Sequence, residues 1–350
     1  MIIFIQNRNY IKMLKKRGME IQFNWIFVLV AGAAILLFFT SLVVKQRGVS
    51  ETSAKATVLK SMEAIIIGTS VSTDTIKTIN MPNSNIEIGC NRVSVGGISR
   101  QYQNLILFAP GLIKGNKLIA QTLPFNVPYK ATNLLFMTNP QVRYIIIGSN
   151  DFARDVYGSL PSNLKKEIYL SPPAIKNENN YKIRFIVFDN SVNNIDLKSF
   201  PDSDVTALRI IGNKEKGTIE FYQENENRLL SQGQLPYITK SALIGAVYSD
   251  TKDLYECSMK NVFSRLRLTT DIYRGRTDKM IEEIGRSEEM RRSNRQAQCN
   301  QYSTASRELT KISAASSVFN NENINKISEA AEILINANDD AKKNSCPLIY

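Results

Sequence analysis

Residues 25–44, WIFVLVAGAAILLFFTSLVV, run for twenty positions without a charge. At a helical rise of about 1.5 Å per residue the run spans about 30 Å, the thickness of a bilayer's hydrocarbon core. The competing reading is a buried core helix, which would be shorter and carry a polar face. The run therefore predicts a transmembrane helix within 19–45, with membrane lipid as the partner of 25–44 and Trp25 at the interface. Arg8, Lys12, Lys15, Lys16 and Arg17 precede it with no acidic residue before Glu20, whereas Lys45 and Arg47 on the other flank are soon joined by Glu51. By the positive-inside rule, 1–18 is a basic cytoplasmic segment and everything after Val44 is extracytoplasmic, as in a single-pass protein of the cell membrane. A cleaved secretory signal would have a shorter apolar region and a small-residue cleavage site, so the helix is read as a retained signal-anchor.

The stretch KKRGMEIQFNWIFVLVAGAAILLFF at 15–39 sets basic residues, then Gly18, then a short polar segment before the long apolar helix. It resembles the class III signal peptides of archaeal type IV pilin-like proteins. That resemblance implies processing by a membrane peptidase between Gly18 and Met19, so that the mature chain begins with the hydrophobic helix. Glu20 is second after that cut, where pilins of the bacterial style carry their acidic residue at the fifth position, and no later segment has the pattern of a pilin head. In NVPYKATNLLFMTNPQVRYIIIG and NSCPLIY the chain is also similar to single-span secreted archaeal proteins, a likeness that implies no activity.

The chain of 350 residues contains no histidine, which removes Ser/His/Asp triads, Cys/His pairs, HExxH zinc sites and imidazole bases. A composition 43% hydrophobic and 22% charged is that of a globular protein and excludes a wholly disordered chain. Of the net charge of +12, residues 1–45 carry +5, so much of the excess is a topology signal.

All four cysteines, Cys90, Cys257, Cys299 and Cys346, follow the apolar run, and none forms a CxxC pair. Outside the membrane, disulfides persist, and four cysteines allow three connectivities. Met259, Val262, Leu266, Thr269, Tyr273, Met280 and Ile284 recur at spacings of three, four or seven, and similar stripes follow Tyr302 and Ile324. Three amphipathic helices joined by short links make an antiparallel bundle over 251–350. Cys299 at the start of the second helix and Cys346 past the end of the third then share one end of the bundle. The expected pairs are Cys299 with Cys346 and Cys90 with Cys257.

Residues 46–84 read as a helical stalk, with Leu59, Met62 and Ile66 on one face and Gly68 as its stop, followed by a connector over 71–84. From 85 to 250, apolar runs such as RYIIIG at 143–148, KIRFIVF at 182–188 and VTALRII at 205–211 are bounded by turn residues and read as strands of a mixed sheet. The fold class is thus an α/β ectodomain with a mixed sheet, an N-terminal transmembrane helix and stalk, and a C-terminal antiparallel helical bundle.

Between RYIIIG and EIYL, a capped helix at Asp151 completes a βαβ unit, so Gly148, Ser149, Asn150 and Asp151 form a strand-to-helix turn whose amides can face a small anion. The turn lacks GxGxxG and GxxxxGK[ST], and ordinary turn chemistry accounts for the same residues. Asp189, Asp202 and Asp204 are weighed as calcium ligands and read instead as turn formers. No metal or cofactor is expected. The segment 265–295 mixes signs densely and reads as a solvated, ion-paired helix, which argues against a nucleic-acid partner. The expected function is a non-catalytic surface, envelope or pilus-like assembly component working through protein contacts outside the cell. The alternative is a ligand-binding or enzymatic domain with a small anion at Gly148–Asp151.

Overall fold

The computed structural model describes residues 28–41, 53, 55–68, 72–174, 178–286 and 299–350. Gly18 and Met19, and the ends of the 25–44 run, lie outside the described residues. Two compact units are distinguished, Met1–Thr57 and Val58–Tyr350. In the first, 28–41 is helical (α1), and its apolar side chains, including Val28, Leu36 and Phe39, are exposed. Among the described residues no helix is long and apolar enough to cross a membrane.

The second unit begins within helix α2, 55–68. Val58, Leu59 and Met62, one helical turn apart, are buried in a cluster with Ile86, Val93, Leu118 and Met137, while Ile66 is half-buried. Those partners belong to a six-stranded sheet of β1 (Ile76–Gly89), β2 (Arg92–Val95), β3 (Ile98–Gln101), β4 (Leu107–Phe108), β5 (Leu112–Asn126) and β6 (Lys130–Thr138). Its order is β3-β2-β1-β5-β6-β4, antiparallel except where β4 runs parallel to β6. The connector expected over 71–84 is corrected here, because β1 starts at Ile76 and pairs with β5 along its length. Met81 and Pro82 sit where the register shifts between Asn80 and Ser84, the irregularity at which a strand tolerates proline.

A second six-stranded sheet contains β7 (Val142–Ile147), β8 (Lys165–Tyr169), β9 (Lys182–Val187), β10 (Asp204–Gly212), β11 (Lys216–Asn225) and β12 (Arg228–Ile238), in the order β12-β11-β10-β9-β7-β8. Strands β8, β7, β9 and β10 are parallel, and β11 and β12 extend them as antiparallel hairpins. Every residue of β7 and β9 is buried, the burial that continuous apolar runs require. The sheets are therefore two, and both are mixed.

Helices α3 (Asp151–Ser159), α4 (Lys240–Tyr248), α5 (Lys252–Arg286), α6 (Gln301–Ala315) and α7 (Asn321–Lys343) complete the unit. One core joins Phe136 and Tyr144 of the sheets to Leu243 of α4, Met259 of α5, Leu309 of α6 and Leu334 of α7. The division placed at 250/251 is thus a change of element type within one compact unit, because Tyr255 packs on Phe108 and Phe221 of the two sheets. Disulfides close Cys299 to Cys346 and Cys90 to Cys257. The first sets the start of α6 beside the end of α7, as antiparallel neighbours require, and the second ties the β1–β2 turn to α5.

Candidate functional site

The turn Gly148–Asp151 leaves the carboxyl end of β7. Asn150 accepts a hydrogen bond from Ala153 N at 2.7 Å, so it caps α3, and Ala153 and Val156 bury that helix against the face carrying Tyr144 and Ile146. The next crossover, from β9 to β10, covers the opposite face, with Val192 and Leu197 against Ile145 and Ile147. Crossovers on opposite faces make the ends of β7 and β9 a topological switch point, the place where open α/β sheets bind ligands. Here the space is filled. A Cβ on Gly148 would lie 2.9 Å from Phe188 Cβ and 3.1 Å from Ala153 Cβ, and Phe152 packs edge-on to Phe188 with centroids 5.2 Å apart. Arg154 pairs with Asp151 and donates to Ser149 O at 3.0 Å. The four residues are together, and the side chains and carbonyls seen to bond there bond locally, while Gly148 N donates outside the turn to Tyr169 O of β8 at 2.9 Å.

Asp189 lies beyond the end of β9, where it accepts from Ser191 N at 2.8 Å, whereas Asp204 begins β10 opposite Lys182. At about 3.3 Å per residue the length of a strand separates them. Among the described residues no group of three or more metal-ligating side chains occurs.

A cluster that the sequence reading missed lies at the amino ends of β9 and β10. Lys182, 3% exposed, pairs with Asp204 at 2.6 Å and with Asp250, 7% exposed. Asp250 also accepts from Gly111 N at 3.0 Å on both oxygens, tying the β4–β5 link of the first sheet to the second. Two residues along β9, the buried Arg184 donates to Ala246 O at 3.0 Å, to Asp250 O at 3.3 Å and to Ser249 O, the carbonyls that end α4. A cation there complements the negative end of the helix dipole. Burial pushes the Arg184 guanidinium down to about 10, against the opposing pull of Asp250. The signal available in the sequence was Lys182 and Arg184 on one face of an otherwise apolar strand.

The surface offers a different arrangement. Met259, Val262, Phe263 and Leu266 bury one side of α5, while Leu268 and Ile272 stand 54% and 64% exposed on the other. Three adjoining clefts of about 820, 290 and 520 Å³ follow that exposed side from Ser264 to Glu283. At about 1.5 Å per residue the clefts follow α5 for about 28 Å, as a groove in the largest part and as an open helix face toward Glu283, where only α5 residues line the cleft. Ile66 of α2, Tyr102, Leu105 and Ile106 of the β3–β4 link, and Lys130 of β6 form the facing wall of its largest part.

Lys130, Arg265, Arg267, Arg276 and Lys279 line the groove, and none forms an ion pair among the described residues. Of the two carboxylates in the groove, Asp271 is engaged by Ser313 at 2.7 Å and Arg274 at 3.4 Å, and Glu283 stands at the far end. Of the ion pairing expected along 265–295, the described residues show Arg274–Asp271 and Arg286–Glu282, while Arg265, Arg267, Arg276 and Lys279 form none among them and 287–295 lies outside the described residues. Tyr102 Oη is buried in the same wall with no hydrogen-bond partner among the described residues.

No family model, curated protein or solved structure matches the chain.

Proposed function

We propose that this chain is a non-catalytic, membrane-anchored extracytoplasmic component of a surface, envelope or pilus-like assembly, which acts by docking a protein partner in the groove along α5. The observation that carries the reading is that groove, in which Leu268 and Ile272 lie exposed between cations that have no carboxylate partner among the described residues. Exposed apolar side chains set in a cleft and rimmed by polar groups are characteristic of protein interaction sites. The uncharged run 25–44 and the uncovered apolar side chains of 28–41 support anchorage in lipid. Two disulfides support an oxidising compartment.

A photo-crosslinking residue at position 268, installed in the full chain in its native cells, tests the docking. A discrete protein adduct is expected there and not from position 333, an exposed isoleucine of α7 away from the groove. Equal or absent labelling at the two positions overturns it. Protease added to intact cells should degrade the chain beyond residue 50, and survival of that region while a known surface marker is digested overturns the topology. Cleavage mapped between Gly18 and Met19 would join the chain to the pilin-processing route, whereas a mature protein that retains the residues before Gly18 would separate it from that route.

A further inference from the structure

We infer that the occupant of the α5 groove is an acidic amphipathic helix of a partner protein, an inference that rests on the docking reading above. Electrostatics selects the sign. Elsewhere on the helices, several cations meet carboxylates within a turn or so, as in Lys260–Glu256 at 2.7 Å, Lys326–Glu322 at 2.6 Å and Lys311–Glu308 at 3.0 Å, and those that form no such pair among the described residues, such as Lys60, Lys252 and Lys342, are not gathered along one cleft. In the groove, Lys130, Arg265, Arg267, Arg276 and Lys279 have no such partner among the described residues, and they face only Asp271, already engaged, and Glu283. A carboxylate-bearing partner would supply the missing half of these pairs and gain from the field they set up together.

Geometry selects the form of the partner. Arg265, Leu268, Ile272, Arg276, Lys279 and Glu283 follow one another at spacings of three and four, one stripe along α5. A helix face about 28 Å long, walled on its far side in the largest cleft, accepts a helix of about 19 residues, whose own ridges can seat between those side chains. Gly275 lies midway along the stripe with open space where a Cβ would be, which permits close approach of a second helix. Leu268 and Ile272 supply the apolar floor on which the partner's leucine-type side chains would rest. Nucleic acid fits less well, because that floor is aliphatic and, among the described residues, Tyr102 is the single aromatic lining the clefts.

The test uses the full chain in lipid nanodiscs and a labelled synthetic helical peptide of about 20 residues, with leucines on one face and glutamates on its flanks, read by fluorescence anisotropy. The acidic peptide should bind at least about tenfold tighter than its Glu→Gln counterpart and lose several-fold in affinity between about 50 and 500 mM salt. The double variant Arg265→Glu, Arg276→Glu, altering two exposed side chains, should keep its thermal midpoint, lose that preference and bind the Glu→Lys peptide instead. Equal binding of the acidic and Gln peptides would overturn the acidic partner while leaving the docking groove standing. Binding of none of the peptides, together with no adduct at position 268, would overturn both. Tighter binding of single-stranded DNA than of the acidic peptide, or self-association that displaces the peptide, would overturn the inference in favour of nucleic acid or a second copy of the chain.

Discussion

Helices α4 and α5 follow one another in the chain and meet opposite conditions. In α4 all seven residues from Ala242 to Tyr248 are buried, and its carboxyl end rests on the buried cation Arg184. From Arg265 to Lys279, α5 presents a face with Leu268 and Ile272 in the open and four cations that form no ion pair among the described residues. The interior therefore holds charges that are compensated on the spot, and the surface holds charges that await compensation. Burial makes the difference, since an unpaired ion costs several kcal/mol inside the protein and little in water. Strict pairing at Lys182 and Asp250 thus says little about function, whereas the cations of α5 that are unpaired among the described residues are the ones on which the proposed docking rests.

The largest predicted effect breaks the interior half of that comparison. Asp250→Ala leaves Lys182 with only the half-exposed Asp204 and leaves Gly111 N without its acceptor. Removing one partner of a buried pair costs about 3–5 kcal/mol, to be read as a lower urea midpoint. Loss at the surface level, below about 0.5 kcal/mol, would mean that water reaches the cluster and that the contrast with α5 is false. Replacing both Cys299 and Cys346 by serine should cost about 2–4 kcal/mol, because the bridge closes a 47-residue separation in the unfolded chain. It should also expose Ile349, which is buried beside the bridge, as faster amide exchange at its N–H, now bonded to Asn338 at 2.9 Å.

Smaller effects follow at Gly245 and Glu167. A Cβ at Gly245 would lie 2.7 Å from the ring of Phe108, which is fully buried and stacked on Phe136. Gly245→Ala should therefore destabilise by about 1–3 kcal/mol despite the better helix propensity of alanine. Burial raises the Glu167 carboxyl, but the paired bonds from Arg143 at 2.8 Å and the bond from Tyr169 outweigh it and hold the group below its ordinary 4.5. A carboxyl held low in the folded state adds stability above its unfolded value, and loses it as pH falls through the folded one. Glu167→Gln should lower stability at neutral pH by about 1–2 kcal/mol and flatten the decline below pH 4.5. An unchanged acid limb in urea titrations would show that Arg143 does not hold that carboxylate.

Much of this arrangement was legible beforehand, for reasons of period and pattern. β7 and β9 could be read because strands covered on both faces are continuously apolar, and α5 because Met259, Val262 and Leu266 keep a helical period on the side that is buried. The disulfides followed from which helix ends share one end of a bundle. The end of β1, IEIG at 86–89, reads as a strand, but its first ten residues were missed because exposure of most of them leaves a polar sequence, and their pairing with β5 is made by backbone groups that side chains do not reveal. The groove was missed for a related reason. Leu268 and Ile272 fall outside the periodic stripe of α5, and only the walls supplied by α2 and the β3–β4 link turn two stray apolar residues into a cleft. The turn at Gly148 was located correctly as a strand-to-helix link, but Phe188, forty residues later, fills the space beside it.

The smallest predicted effect sharpens the comparison most, because it repeats the Gly245 substitution on the other helix. Nothing lies within 4 Å of a Cβ built at Gly275, which stands exposed on the groove side of α5. With no clash to offset it, the gain in helix propensity should appear alone, so Gly275→Ala should stabilise by up to about 1 kcal/mol. Opposite signs for one substitution at two helical glycines, measured as urea midpoints in the same background, would show that the face of α5 is bare in the isolated chain. A loss of stability at Gly275 would mean that another part of the chain already covers that face, and the groove would then be an internal contact without a vacancy for a partner.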